Sequence, residues 1–249
     1  MTSPSTPSFL AIDPVELEEI AANLAIVREK IELSVDKRKV DRSVPVKLIG
    51  VSKYQPRSKL FAAFTAGLRD FGENYAQEFR EKYEQWMNHD PENPPNWHFI
   101  GTLQSNKVKI VCGQACIHTV DRKSLLAKLD ARAAQLGIVQ SVLVEVNMGE
   151  KQKSGVAISE LPQMLDLFQS APNMRCIGLM TMPPIGSAEQ SRKYFRKLRE
   201  LRDTQREIHR RHVDLEHLSM GMSRDFEVAI EEGATMIRVG TAIFGSRTE

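Results

Sequence analysis

The stretch LEHLSMGMSRDFEVAIEEGATMIRVGTAIF (215–244) decides the fold. An apolar run at 215–220 is followed by helix formers over 224–232 and by a second apolar run at 236–244. A strand, a helix and a strand in this order form a βαβ unit, in which the crossover makes the two strands parallel. The last part of the chain therefore predicts a parallel sheet covered by helices.

The same alternation extends over most of the chain. Apolar runs fit for strands lie at 46–52, 69–73, 97–101, 116–120, 141–147, 176–182, 215–220 and 236–244. Helical spacing or strong helix formers occur at 58–67, 75–88, 104–112, 123–136, 159–169, 187–211 and 224–232. Right-handed crossovers wind eight such strands in one direction, so we expect an α/β fold of the (β/α)8 TIM barrel class. A doubly wound open sheet is the alternative.

One long helix precedes the first strand. Asp13 and Pro14 are typical of an N-cap and a first helical position, and apolar residues then recur at three- and four-residue steps over 14–35. Because the chain stops directly after the eighth strand, we expect this helix to close the barrel in place of an eighth outer helix. Residues 1–12, rich in Ser, Thr and Pro, are expected to be a disordered tail, and residues 13–249 a single barrel domain.

Charge and cysteine content argue against several classes of protein. The 34 basic and 32 acidic residues leave a net charge of +2, which gives no electrostatic basis for binding nucleic acid or an anionic membrane. Cys112, Cys116 and Cys176 are too few for a disulfide framework and lack the partners of a zinc finger, so no metal site is expected. No apolar run approaches the roughly 20 residues of a membrane span, and we expect no secretory signal because the N-terminal residues lack a basic region followed by an apolar core. The expected compartment is the cytosol, with a mitochondrial share left open.

Small polar groups follow the last two strands of the predicted barrel. Ser219 and Ser223 flank a glycine just before a helix, and Gly240 and Thr241 end the eighth strand. Backbone N–H groups, hydroxyls and a helix N-terminus together form an anion cradle, and barrels of this class bind phosphate at this corner. The alternative is that the serines only cap the helix.

Two cationic residues lie at other strand ends. Lys53 directly follows the apolar run of the first strand, and Arg238 alternates with apolar neighbours in the eighth. A partly desolvated lysine can form a Schiff base with an aldehyde. A phosphate cradle and such a lysine at one barrel mouth indicate pyridoxal 5'-phosphate (PLP). A solvated lysine, an outward-facing arginine in a salt bridge and a site for another phosphorylated metabolite are the alternatives.

Several motifs together resemble one known family. GVSKYQP (50–56), FGENYAQE (71–78), WHFIGTLQSNK (97–107), VEVNMGEKQKSGV (144–156), GLMTM (178–182) and LSMGMSRDFEVAIEEGATMIRVGTAIFG (218–245) closely resemble the pyridoxal phosphate homeostasis protein family. The resemblance runs in order from about residue 47 to 247. That family is similar in its barrel to the N-terminal domain of alanine racemase, the fold-type III class of PLP proteins.

The resemblance implies a role for each matched residue. Lys53 would carry the cofactor as a Schiff base, Arg238 would face the pyridine nitrogen, and Asn74 would lie near the ring. The phosphate would be held by Ser219, Ser223, Gly240 and Thr241. An arginine at the pyridine nitrogen leaves that nitrogen unprotonated and the ring a weak electron sink.

The resemblance also bears on activity and partners. Racemases of this class use a tyrosine base and a further β domain, and none of Tyr54, Tyr75, Tyr83 and Tyr194 has the sequence context of that base. We therefore expect a monomeric PLP carrier in vitamin B6 homeostasis with no catalytic residue, and PLP-dependent apo-enzymes as possible recipients. An amino-acid racemase is the alternative.

Three further features stay open at this level. His98 either stacks near the cofactor ring or forms hydrogen bonds inside the barrel. Glu73 either pairs with a lysine at the mouth or caps the next helix. The basic residues of two loops, Lys107, Lys109, Lys151 and Lys153, are either solvated or form a second anion site.

Overall fold

The computed structural model describes residues 12–40, 43–149 and 154–245. The tail predicted at 1–12 lies outside these residues except for residue 12. The strands are β1 (Lys47–Val51), β2 (Asp70–Glu73), β3 (Asn96–Phe99), β4 (Cys116–Val120), β5 (Gln140–Asn147), β6 (Val156–Ala157), β7 (Met174–Met180), β8 (Val213–Met222) and β9 (Met236–Val239).

Helices connect these strands. They are α1 (Pro14–Lys37), α2 (Arg57–Thr65), α3 (Ala76–His89), α4 (Val108–Val111), α5 (Lys123–Leu136), α6 (Leu161–Asp166), α7 (Ala188–Arg206), α8 (Phe226–Glu231) and α9 (Thr241–Phe244). Single 3-10 turns at 105–107, 158–160 and 167–170 extend α4 and α6.

Within the described residues, eight parallel strands close into a barrel. Their order around the ring is β1-β2-β3-β4-β5-β7-β8-β9, and the pairings β4–β5 and β9–β1 complete it. The expected (β/α)8 TIM barrel is therefore confirmed, and the doubly wound open sheet is wrong because its edge strands would be unpaired. The two-residue β6, which the sequence did not predict, pairs with the end of β5 outside the ring.

Helix α1 closes the outer layer as expected. It packs against α2, α8 and α9, so it lies between the helix that follows β1 and the helix that follows β8. Its N-terminus is fixed by Asp13, whose Oδ1 accepts a hydrogen bond of 2.9 Å from the backbone N–H of Val15. Pro14 occupies the first turn, where its missing N–H is harmless.

Two predicted elements end five residues earlier than expected, whereas the other predicted elements, with the 3-10 turn counted as part of α6, end within two residues of the expected positions. The strand predicted at 236–244 stops at Val239, and Thr241–Phe244 form the short helix α9. The helix predicted at 187–211 ends at Arg206. Arg210 curls back there and donates from Nη1 to the carbonyl oxygen of Gln205 at 3.2 Å, which satisfies a carbonyl at the helix end.

The core has two parts on either side of the strands. The larger part fills the space between strands and helices, with fully buried rings such as Phe71, Phe99 and Phe195. A small apolar cluster inside the barrel contains Ile49, Leu143, Met180 and Met236. The rest of the barrel interior includes polar side chains, which form the site described below.

No helix in the described part of the chain is long and apolar enough to cross a bilayer.

Candidate functional site

A cavity of about 540 Å³ opens at the C-terminal ends of the barrel strands. The segments after β1, β2, β3, β7, β8 and β9 contribute its walls, as this fold class leads one to expect. Its charged lining residues are Lys53, Arg224, Asp225 and Arg238. Three cations against one carboxylate favour an anionic ligand.

Lys53 lines this cavity from the turn after β1 and is half-buried. The residues on either side are held by α3. The ammonium of Lys82 donates to the carbonyl oxygen of Ser52 at 2.6 Å, and the N–H of Tyr54 donates to Oε1 of Glu78 at 2.6 Å. Tyr54 has a φ of 62°, in the left-handed region that non-glycine residues rarely adopt. The turn that presents Lys53 is therefore held in a strained conformation by side chains of the neighbouring helix.

A buried ion-pair network lies beneath that turn. Lys82 Nζ is 2.7 Å from Glu73 Oε1 and 2.7 Å from Glu78 Oε1, and the Ser52 hydroxyl donates to Glu73 Oε1 at 2.6 Å. Burial raises the pKa of Glu73, and the charge of Lys82 opposes that shift. Of the two alternatives for Glu73, pairing with a lysine is correct, and the lysine is Lys82.

Arg238 reaches the cavity from inside the barrel. Its neighbours Ile237 and Val239 point into the outer core, so the alternation along β9 turns the guanidinium inward, as predicted. Nη1 donates to Ser219 Oγ at 2.6 Å, and Nη2 donates to the carbonyl oxygen of Thr181 at 3.0 Å. Burial lowers the pKa of Arg238 to about 10, so the group remains cationic at neutral pH.

Three of the four residues predicted to hold a phosphate lie together at the cavity. Ser223, Gly240 and Thr241 line it, and the N–H of Gly240 donates to Ser223 Oγ at 3.3 Å. A Cβ added at Gly240 would lie 3.3 Å from the carbonyl oxygen of Val51, tighter than most such contacts. Glycine thus lets the end of β9 pass close to β1.

Ser219 is placed differently from the other three. Its side chain is fully buried, and its hydroxyl is hydrogen-bonded to Arg238 and, at 2.9 Å, to Nδ1 of His118. It does not line the cavity. The structure thus brings Ser219 to the arginine of the site and not to the predicted phosphate corner.

Asn74 lines the cavity at the end of β2. Its Oδ1 is buried and has no hydrogen-bond partner among the described residues. A buried carbonyl without a partner is uncommon, so this atom indicates a place for a donor from a bound molecule. The backbone of Asn74 is closely packed, since a Cβ at Gly101 would lie 2.0 Å from its carbonyl oxygen.

His98 lies deeper in the barrel than the cavity. Its Nε2 is 3.0 Å from Asp70 Oδ1 and its Nδ1 is 2.9 Å from His118 Nε2. Of the two alternatives, a hydrogen-bonded histidine inside the barrel is therefore correct.

The tyrosines near the mouth do not line the cavity. The rings of Tyr54 and Tyr75 lie 5.3 Å apart, and their exposed fractions are 51% and 47%. Lys107 and Lys109 lie in the 3-10 turn and α4, also outside the cavity lining, whereas Lys151 and Lys153 lie outside the described residues.

Sequence reasoning missed Lys82, Arg224 and His118. Lys82 had a detectable signal, because it shares the helical spacing of Phe79 and Trp86 and so falls on the buried face of α3. The alternation along β4 turns His118 inward, but its hydrogen-bond partner Ser219 is 101 residues away in the sequence. In the sequence, Arg224 indicates only the start of a helix.

Known proteins of one family are similar to this chain. The chain matches the family described as alanine racemase, N-terminal domain, over residues 15–248. The pyridoxal phosphate homeostasis protein of Aquifex aeolicus is 50% identical over 205 residues, which are 81% of this chain and 87% of the relative. The protein of that name from Vibrio alginolyticus is 40% identical over 221 residues, 87% of this chain and 93% of the relative. The solved structure of PipY from Synechococcus elongatus with PLP bound is also similar, with a TM-score of 0.78 and 32% sequence identity. The match covers 91% of this chain and 100% of the PipY chain.

Proposed function

Since this chain belongs to the pyridoxal phosphate homeostasis protein family, we propose that it binds PLP in the mouth cavity and serves in maintaining the intracellular pool of this cofactor. The observation that carries the proposal is the set of groups in one cavity. A lysine, two arginines, a serine, a threonine and an asparagine line the same space. This set matches an aldehyde, a phosphate and a ring with polar substituents.

Each residue of the cavity has a distinct task in this proposal. PLP supplies an aldehyde that reacts with amines and a ring that withdraws electrons. Lys53 Nζ tethers it as a Schiff base, in which a C=N bond forms and one water leaves. Arg238 faces the ring nitrogen, and Asn74 contacts the ring substituents. Ser223, Gly240 and Thr241 hold the phosphate, and we add Arg224 to that group because it lines the same wall.

Ser219 acts through Arg238 in this proposal. Its hydroxyl accepts from the guanidinium at 2.6 Å and is buried. We therefore assign Ser219 to positioning the arginine, in place of the phosphate contact predicted from the resemblance.

We propose a carrier without catalytic turnover. A cationic arginine at the ring nitrogen disfavours carbanion chemistry, because it does not protonate that nitrogen. The tyrosines near the mouth, Tyr54 and Tyr75, lie outside the cavity lining, so neither is placed as the base that a racemase requires.

The wider setting follows the same proposal. We propose a single barrel domain over 13–249, a cytosolic location and a monomeric state, with PLP-dependent apo-enzymes as recipients. The near balance of 34 basic and 32 acidic residues supports neither nucleic acid nor membrane as a partner.

The function is tested by loading and transfer. The protein is incubated with PLP, desalted and mixed with an apo-enzyme that needs PLP, and recovery of the enzyme's activity is followed. We expect the loaded protein to restore that activity and to leave the chirality of L-alanine and L-serine unchanged. Rapid racemisation would replace the carrier with the racemase, and failure to take up PLP would contradict both.

A further inference from the structure

A continuous run of hydrogen bonds crosses the barrel interior from one end to the other. Asp70 Oδ1 is 3.0 Å from His98 Nε2, His98 Nδ1 is 2.9 Å from His118 Nε2, and His118 Nδ1 is 2.9 Å from Ser219 Oγ. The last link joins Ser219 Oγ to Arg238 Nη1 at 2.6 Å. We call these five residues the barrel relay.

For two neutral imidazoles, the chemistry of the relay's two ends fixes the direction of every hydrogen bond. A guanidinium can only donate and an ionised carboxylate can only accept. Because the Asp70 carboxylate takes the Nε2–H of His98, the Nδ1 atoms of both rings are acceptors. The Ser219 hydroxyl therefore accepts from Arg238 and donates to His118 Nδ1. His118 Nε2–H then donates to His98 Nδ1, and His98 Nε2–H donates to Asp70. Both imidazoles are neutral in this assignment, and both carry their proton on Nε2.

The surroundings of the relay support neutral imidazoles. The side chains of His98, His118, Ser219 and Arg238 are all buried, with exposed fractions of 3% or less. Burial lowers the pKa of both His98 and His118, and for His118 the neighbouring positive groups lower it further. The charged and titratable groups around the relay are Lys47 at Asp70, His217 near His118, and Glu145 and Asp225 near Arg238.

A metal ion does not explain this cluster as well. His98, His118 and Cys116 offer three ligand atoms within 4.8 Å of one another. Zinc with bonds of about 2.0–2.1 Å in tetrahedral geometry would hold two nitrogen ligands about 3.3 Å apart. The observed 2.9 Å between His98 Nδ1 and His118 Nε2 is a hydrogen-bond distance.

We propose that Asp70, His98, His118 and Ser219 are positioning residues for Arg238, and that they transmit changes at the opposite barrel face to the cofactor cavity. The inference rests on the proposed function, because that function places PLP in front of Arg238. The far end of the relay is open to such changes. Lys47 and His98 line a second cavity, of about 470 Å³, at the N-terminal ends of the strands.

The relay itself is tested without PLP. Nitrogen-15 NMR of the unloaded protein reports the protonation of each imidazole, and an N–H···N bond transmits a measurable coupling between its two nitrogens. We expect Nε2–H tautomers for His98 and His118 at pH 7 and a coupling between His118 Nε2 and His98 Nδ1. A protonated imidazolium, an Nδ1–H tautomer at either ring or the lack of that coupling would overturn the assignment.

The transmission is tested with a variant at the far end. Asp70→Asn removes the charged acceptor, and Lys47→Gln is the matched control because it removes the neighbouring charge and leaves the carboxylate in place. We expect Asp70→Asn to shift the absorbance maximum of bound PLP and to change its release rate by about threefold to tenfold, with Lys47→Gln closer to wild type. Equal spectra and release rates in Asp70→Asn and wild type would overturn the transmission. Wild-type protein that takes up no PLP would overturn the proposed function instead, and the NMR result would still decide the relay.

Discussion

The ammonium of Lys82 donates a hydrogen bond of 2.6 Å to the carbonyl oxygen of Ser52, the residue directly before Lys53. The same ammonium pairs with Glu73 at 2.7 Å and with Glu78 at 2.7 Å. One buried cation thus joins the end of β2, the helix α3 and the turn that carries Lys53. The position of Lys53 at the mouth depends on this network.

Loss of Lys82 is expected to destabilise the protein strongly. Lys82→Met leaves the buried carboxyl of Glu73 without its cation, and breaking a buried pair in this way costs about 3–5 kcal/mol of unfolding free energy. Urea denaturation measures the change. Arg80→Ala is the control, since Arg80 and Glu84 form an exposed pair at 4.0 Å on the same helix, worth about 1 kcal/mol or less. Equal losses in the two variants would contradict the importance of the network.

Much of the barrel could be predicted from the sequence, because strand and helix periodicities are local properties. The helix at 123–136 and the strand at 116–120 have the predicted bounds. The strand predicted at 236–244 is too long, because Thr241–Phe244 is as apolar as a strand but forms a short helix after the end of the barrel strand. Local hydrophobicity does not show where a barrel strand has to end.

The site was predictable where one residue carries its own signal. Arg238 among apolar neighbours and Lys53 after an apolar run stand out in the sequence, and both line the cavity. The relay was not predictable, because its two histidines are 20 residues apart and the serine that bonds His118 lies 101 residues further along the chain. Such long-range hydrogen bonds are determined by barrel closure.

Arg224 is expected to recognise the phosphate of PLP. Arg224→Gln removes a cation from the cavity wall, and a hydrogen bond to a charged group contributes about 1.5–3 kcal/mol, so PLP should bind about tenfold or more weakly. Binding of pyridoxal, which has no phosphate, should change little. Arg57→Gln is the control, because Arg57 is exposed at the start of α2 and does not line the cavity. If Arg224→Gln weakened the binding of PLP and of pyridoxal by similar factors, Arg224 would not contact the phosphate.

The buried histidines predict a pH dependence of stability. An unfolded imidazole binds a proton below about pH 6.5. Burial and the nearby positive groups hold the pKa of His118 well below 6.5, so this ring stays neutral in the folded protein. The unfolded state therefore gains protons as the pH falls, and the unfolding free energy should decrease below pH 6.5 by up to about 1.4 kcal/mol per pH unit for each such ring.

Urea denaturation at pH 7.5 and pH 5.5 measures this decrease. In His118→Gln, the unfolding free energy should fall less steeply with decreasing pH, because the unfolded variant has one imidazole fewer to protonate. This change in slope is expected whatever the stability of the variant at pH 7.5. An unfolding free energy that is the same at both pH values would contradict the neutral, buried state of the ring.

The most direct test of the account locates PLP on the chain. The protein is loaded with PLP, treated with borohydride to reduce any C=N bond to a stable amine, and digested for peptide mass spectrometry. We predict one phosphopyridoxyl group per chain on Lys53, its absence in Lys53→Ala, and no change in Lys109→Ala, whose lysine is exposed on α4. A label on another lysine, or no label on a wild-type protein incubated with excess PLP, would contradict the account.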